Sequence, residues 1–206
     1  MKAKLIGAVV IIILAALGAM GWVGYQLFTT GFSAKTEPHA LEVMMARQIR
    51  RLAIPIEKRN AQNPVHLTAE VLQQARAHFA DHCATCHGND GRGQTPIGKN
   101  VYPKAPDLKL PDTQSLSDGE LFWVIHNGIR FTAMPAWGDG TPESDRDSWR
   151  LVHFIRHLPQ VTQDELDEMK ALNPKTPKEI QEESAFEQFL QGDDTAAAKA
   201  AESHHH

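Results

Sequence analysis

The only two cysteines of this sequence stand three apart, with a histidine directly after the second: Cys83-Ala84-Thr85-Cys86-His87. That spacing is the attachment signature of a covalently held haem. The two thiols add across the porphyrin vinyl groups, and the histidine is delivered to the iron as an axial ligand. With Cys83 given, a second cysteine at this spacing arises by chance roughly one time in a hundred. A histidine then follows about one time in nineteen, so the joint odds are on the order of one in two thousand. A chain that holds so large a planar group must wrap its helices and loops around it.

Other uses of a Cys-x-x-Cys pair fit less well. A structural zinc site needs four ligands. His153 and His157 stand one helical turn apart, but they lie far beyond the roughly 12–15-residue gap of a zinc finger. A thioredoxin-like redox pair follows a strand in a βαβ unit, whereas the sequence upstream of Cys83 has a helical pattern. A disulfide closing so short a loop gains little chain entropy and demands awkward geometry.

The 206 residues suffice for one modest domain with extensions. The net charge of −4 conceals a gradient. Residues 1–67 carry 8 Lys+Arg against 3 Asp+Glu, residues 68–160 carry 9 against 11, and residues 161–206 carry 4 against 11. A basic front thus gives way to an acidic tail. No segment is basic enough to argue for nucleic acid as a partner.

Leu5–Phe28 contains no charged residue. As a helix these residues would be about 36 Å long, enough to cross a hydrocarbon core of about 30 Å with some tilt. Trp22 and Tyr25 near the far end suit a membrane interface. The competing reading is a cleaved signal peptide, for which Ala15-Ala16-Leu17-Gly18-Ala19 offers small residues. The apolar run outlasts the about 7–15 residues of a signal's core, which favours a retained anchor. Lys2 and Lys4 favour the cytoplasmic side for the amino terminus. Lys35, Arg47, Arg50 and Arg51 beyond the apolar run weaken that bias.

The periodicity predicts a helix over 37–53, with Leu41, Met44, Met45, Ile49 and Leu52 on one side and Arg47, Arg50 and Arg51 largely elsewhere. Such a helix suits anionic lipid, a partner subunit or the chain's own domain. Pro55 and Pro64 bracket a polar stretch that is expected to be a linker. Thr68 is a good N-cap for a helix over Ala69–Asp81, which carries Val71, Leu72, Ala75 and Phe79 on one face and runs into the cysteine motif. Gly88–Gly93 and the prolines at 96, 103, 106 and 111 predict a long loop. Ser117-Asp118-Gly119-Glu120 has the spacing of a capping box, opening a helix over Asp118–His126 that ends at Asn127-Gly128. Ser144 or Asp145 is expected to cap a last domain helix through about Leu158, with Trp149, Val152, Phe154 and Ile155 as its apolar members and Pro159 closing it. No segment alternates like a strand for long. The expected fold class is all-α.

Over about residues 68–160 the chain resembles the class I c-type cytochromes. The resemblance rests on several landmarks in order: Ala75-x-x-x-Phe79 on the first helix, Cys83–His87, Ala105-Pro106-Asp107-Leu108, Asn127-Gly128-Ile129 through Met134-Pro135, and the final helix with Trp149. It implies the small cytochrome c fold around one covalent haem c, bound by Cys83, Cys86, His87, Pro106 and Met134. His87 and Met134 would be the two iron ligands, and the Pro106 carbonyl would accept the proton on the other nitrogen of His87. The chain departs from the family pattern at Ala75, where a glycine is common, so the helix crossing there is expected to be slightly altered. His126 is the rival sixth ligand. His78, His82, His153 and His157 are expected to be solvated or to lie around the site. Arg130, Trp123 and Trp137 are candidates for lining the pocket or bonding propionates, with core packing as the commoner role of a tryptophan.

In this family thioether attachment takes place outside the bacterial cytoplasm. The expected arrangement is therefore a single-pass inner-membrane protein with its haem domain in the periplasm. The expected organisation is an anchor (1–28), a juxtamembrane helix and linker (29–67), a cytochrome domain (68–160), and an acidic extension (161–206) that is disordered beyond Gln191. His204-His205-His206 at the end is assigned no role. The function implied is one-electron transfer between redox protein partners, as a carrier or relay subunit of a respiratory-chain complex, rather than enzyme catalysis. The alternatives are a haem subunit with a catalytic or gas-binding site, and a mainly structural subunit.

Overall fold

The computed structural model describes residues 2–31 and 33–190. The expected disorder beyond Gln191 and the terminal histidines fall outside the described residues. Every regular element among the described residues is helical. The first, α1 (Lys2–Thr30), is 29 residues long. Its stretch Lys4–Gln26 is long and apolar enough to cross a membrane, with a mean hydropathy of 2.5 and no part of its most apolar window buried against the rest of the chain.

Two short helices follow, α2 (Ala40–Ala53) and α3 (Ile56–Arg59). The stretch expected to be a linker is docked instead. Ile54 is buried, the Arg59 side chain donates to the Ile54 carbonyl at 2.9 Å, and the Ser117 hydroxyl donates to the Arg59 carbonyl. Asn63 donates to the Trp149 carbonyl at 2.9 Å, and the His153 ring meets the Val65 carbonyl at 2.7 Å. Charge and prolines suggest a linker, but these residues satisfy polar groups on helices that lie far away in sequence.

The helices of the central domain begin with α4 (Ala69–His78), capped by Thr68 as its spacing predicts. Beyond His78 the helix widens into a π turn over Phe79–Cys83, in which the Ala84 amide reaches back to the Phe79 carbonyl. The extra residue per turn rotates the cysteine motif about the axis relative to a continuous α-helix. It leads into α5 (Ala84–His87). After a long loop come α6 (Pro111–Gln114) and α7 (Asp118–Asn127). Ser117 and Glu120 form the expected reciprocal capping box on α7. The next helix, α8 (Pro142–His157), starts earlier than its sequence pattern suggests. Thr141 is its N-cap and Pro142 its first residue, a position where the missing amide proton costs nothing.

The core lies where α4 crosses α8. Ala75, Phe79, Leu151, Val152 and Phe154 are all buried, and the Phe79 and Phe154 rings meet at 5.0 Å and 54°, a tilted arrangement favoured by the ring quadrupoles. α7 covers the other side of α8, with Phe122 stacked on Trp149 at 4.2 Å. Packing continues past residue 160. α9 (Gln163–Lys170) buries Met169 completely, and its Glu165 faces Arg76 of α4 at 3.2 Å and His157 of α8 at 2.9 Å. A last helix, α10 (Pro177–Leu190), leaves Ile180 and Phe186 exposed.

Candidate functional site

The π turn and α5 present the whole cysteine motif. Cys83 closes the π turn, and Cys86 and His87 end α5. The two sulfurs are not joined to each other in a disulfide. Burial, and then the neighbouring Cys86, push the Cys83 thiol up to about 12. Among the described residues no three His, Cys, Asp or Glu side chains converge to hold a metal ion, so the cysteine pair has no completed zinc site.

The glycine-rich loop after α5 folds back over the motif. The Gly93 amide donates to the His87 carbonyl at 2.7 Å, Leu108 to Gly91 at 2.8 Å, and Ala105 to Gly98 at 2.9 Å. A side chain at Gly93 would place its Cβ 2.3 Å from the Ala105 carbonyl oxygen, and Gly93 also has φ +70°. Glycine there serves both the left-handed backbone and the close approach. At Gly98 a Cβ would lie 2.2 Å from the Cys86 carbonyl oxygen. Thr95 adds a strut that sequence reasoning missed. Its hydroxyl donates to the Thr85 carbonyl at 2.8 Å and the Cys86 carbonyl at 3.1 Å, and accepts from the Gly98 amide. Only the loop's glycine content hinted at such closeness.

The same loop carries Pro106 to His87. The His87 Nδ1 is buried and has no partner at strict hydrogen-bond geometry. Burial lowers the pKa of the ring, and the nearby Pro106 carbonyl favours its protonated form in part compensation. The Pro106 carbonyl is thus the group that faces the His87 ring. An orphaned buried nitrogen beside a carbonyl, two cysteine sulfurs not bridged to each other and a tight backbone cradle together suit a haem held through Nε2. Such bonding leaves Nδ1 as the proton carrier facing Pro106.

Met134 sits half-buried in the loop between α7 and α8. Its carbonyl accepts from the Ile129 amide at 3.1 Å. Its amide donates to the Thr132 hydroxyl at 3.1 Å, and that hydroxyl donates to the Ile129 carbonyl at 2.8 Å. Gly128, at φ +66°, lets the Met134 and Ala136 backbone approach to where a Cβ would clash. The loop thus holds the methionine backbone firmly, though none of its hydrogen bonds reaches His87.

His126 packs beside Phe122 and Gly138, and its Nδ1, like that of His87, is buried without a hydrogen-bond partner. Its ring stacks on Phe122 at 5.2 Å, faces Asp145 at 3.5 Å, and leaves no room for a Cβ on Gly138, which would lie 2.2 Å away. It lines a cleft of about 420 Å³ together with Lys58, Trp123 and Trp149. A second cleft of about 260 Å³ is lined by His78, His82 and Trp137, with Trp137 edge-on to His82 at 5.2 Å. Neither cleft includes His87, Pro106 or Met134. Trp123 and Trp137 therefore border these clefts, His153 and His157 brace the fold, and Arg130 is exposed.

Residues 70–155 match the family model for cytochrome c oxidase, cbb3-type, subunit III. This part of the chain is a c-type cytochrome domain. A thiosulfate dehydrogenase from Stutzerimonas stutzeri (strain A1501) is 33% identical over 79 residues, covering 37% of this chain and 24% of the relative. The chain thus matches only about a quarter of the length of that relative. Among solved structures, the reducing HAO-like protein complex Kustc0457/Kustc0458 of Kuenenia stuttgartiensis aligns with a TM-score of 0.41 at 20% identity, covering 48% of this chain and 49% of that one. Covalent haem and electron transfer are the properties this family domain implies.

Proposed function

We propose that this chain is a membrane-anchored monohaem c-type cytochrome that passes single electrons between redox proteins, as a carrier or relay subunit of a respiratory complex. The observation that carries this reading is the buried, unpartnered Nδ1 of His87 beside the Pro106 carbonyl, in a motif otherwise closed over by its own backbone. When bound, the haem supplies a one-electron ferric/ferrous couple. Cys83 and Cys86 would hold it through thioethers, and this sequence has sulfur for one such group. His87 and Met134 would hold the iron. A thioether is a soft donor that favours ferrous iron and raises the potential. An iron held by two side chains would leave no position for a substrate. Phe79, packed against His87 at 6.5 Å and against Phe154, excludes water from the His87 side.

The apolar α1 would cross the inner membrane and leave the domain on the periplasmic side, where thioether attachment occurs. Tethering raises the local concentration of the domain near membrane partners. Optical spectroscopy of the purified chain tests the reading. The expected result is a pyridine haemochrome of one haem c per chain, a far-red sulfur-to-iron band in the ferric form, and slow carbon monoxide binding to the ferrous form. A preparation with two free thiols and no haemochrome would refute it.

The likeness to a thiosulfate dehydrogenase favours a second reading, a haem subunit of an oxidoreductase with a displaceable sixth ligand. That likeness covers 79 residues of this chain and a quarter of the relative, so no substrate is carried over from it. Rapid carbon monoxide binding together with reduction of the haem by thiosulfate would support this second reading.

A further inference from the structure

We infer that α2 lies flat on the membrane surface and fixes the orientation of the haem domain, with lipid as the occupant of its outward apolar face. This rests on α1 crossing the bilayer. At about 100° per residue, Val43, Arg47 and Arg50 share one stripe of the helix, and Ile54 follows directly after its last turn. This stripe faces the domain: Val43 and Arg50 are half-buried, Arg47 pairs with Asp112, and the adjoining Ile54 is buried. From the flanks, Glu42 accepts from Tyr102, and Glu37 just before the helix pairs with Lys104.

The opposite side of the helix, about 180° away, carries Leu41, Met45, Ile49 and Leu52. They are 56%, 51%, 63% and 76% exposed. A helix that docks through its charged stripe and turns its apolar stripe outward has the reverse of the usual arrangement on a soluble domain. Only an apolar neighbour satisfies that outward stripe.

Two further observations point to lipid. The nine residues between α1 and α2 span at most about 32 Å when fully extended, and a turn from Ser33 to Thr36 shortens them. The apolar stripe therefore stays close to where α1 leaves the bilayer. In addition, Arg51 is exposed and lies between the domain-facing and outward stripes, where a guanidinium suits anionic headgroups.

The test uses the haem-loaded full chain in nanodiscs of phosphatidylethanolamine and phosphatidylglycerol, with a nitroxide on Ile49→Cys. Parallel labels sit on Leu14→Cys within α1 and on Asp167→Cys, an exposed site on α9. Power saturation reads collisions with dissolved oxygen and with a water-soluble nickel chelate. The expected result is loss of nickel collisions at position 49, with oxygen collisions kept, as at position 14 and unlike position 167. Nickel access at 49 equal to that at 167 would overturn the inference while position 14 upholds the anchor. Loss of both oxygen and nickel at 49 would place a protein surface there, a second copy or a partner subunit, and overturn it as well. Nickel access at position 14 would refute the membrane crossing and the inference together.

Discussion

Met134 and His87 differ in how the fold commits them. His87 is packed against Phe79, with one nitrogen sealed from water, whereas Met134 is held through its backbone by Ile129 and Thr132. The methionine side chain is therefore free to be replaced without unfolding the domain. In Met134→Ala, redox titration should show a potential lower by on the order of 100 mV or more, within the ~0.8 V range that axial ligands command. Carbon monoxide should then bind the ferrous form readily. An unchanged far-red band in that variant would remove Met134 as a ligand. At this scale the sequence is most readable where chemistry dictates spacing: the proposed thioether attachment would need Cys83, Cys86 and His87 in one turn. Thr95 could not be read, because its partners are backbone carbonyls nine and ten residues earlier, and a carbonyl leaves no mark on the sequence.

Among the helices, the contact between α3 and α7 depends on the absence of one side chain. A Cβ on Gly119 would lie 2.0 Å from the Lys58 carbonyl oxygen and 3.0 Å from that of Arg59. Alanine is favoured over glycine within a helix by up to about 1 kcal/mol, but overpacking against backbone costs about 1–3 kcal/mol. Gly119→Ala should thus lower the melting temperature and speed hydrogen exchange over residues 54–61. A gain in stability would show that the segment is not docked there. The attachment of α9 depends on charge. Burial alone would raise the Glu165 pKa, but hydrogen bonds from the Thr162 amide and hydroxyl and the proximity of His157 outweigh it and hold the group at about 2. Its value in the unfolded chain is about 4.3. A depressed carboxylate stabilises the fold above its unfolded pKa, and that contribution is lost as pH falls through the folded value. Hydrogen-exchange protection of α9 should therefore decline from about pH 5 towards pH 2, with a smaller decline in Glu165→Gln. A decline of equal size in that variant would assign the acid sensitivity to other groups.

Across the whole molecule, the membrane-spanning candidate and the cytochrome domain are separable. No residue in the most apolar window of α1 is buried, while the domain core is drawn from residues between Ile54 and Met169. A chain lacking residues 1–31 should melt at the same temperature and keep the same potential. It should leave membranes on a carbonate wash, where the full chain needs detergent. A lower melting temperature after this truncation would reveal packing between α1 and the domain. The charge gradient has a structural counterpart: basic α2 and acidic α9 both dock on the domain, through Arg47 with Asp112 and through Glu165 with Arg76.

Local rules were enough to predict the helices, their Thr68 and Ser117 caps and the apolar run of α1, because each depends on residues within a turn or two of one another. Long-range packing set the rest. The π turn ahead of Cys83, the earlier start of α8 at Pro142, the docking of the polar stretch after Pro55, and the burial of Met169 all arise from partners distant in the chain. Their stabilising contacts exist only after the helices have come together, so periodicity and composition carry no trace of them.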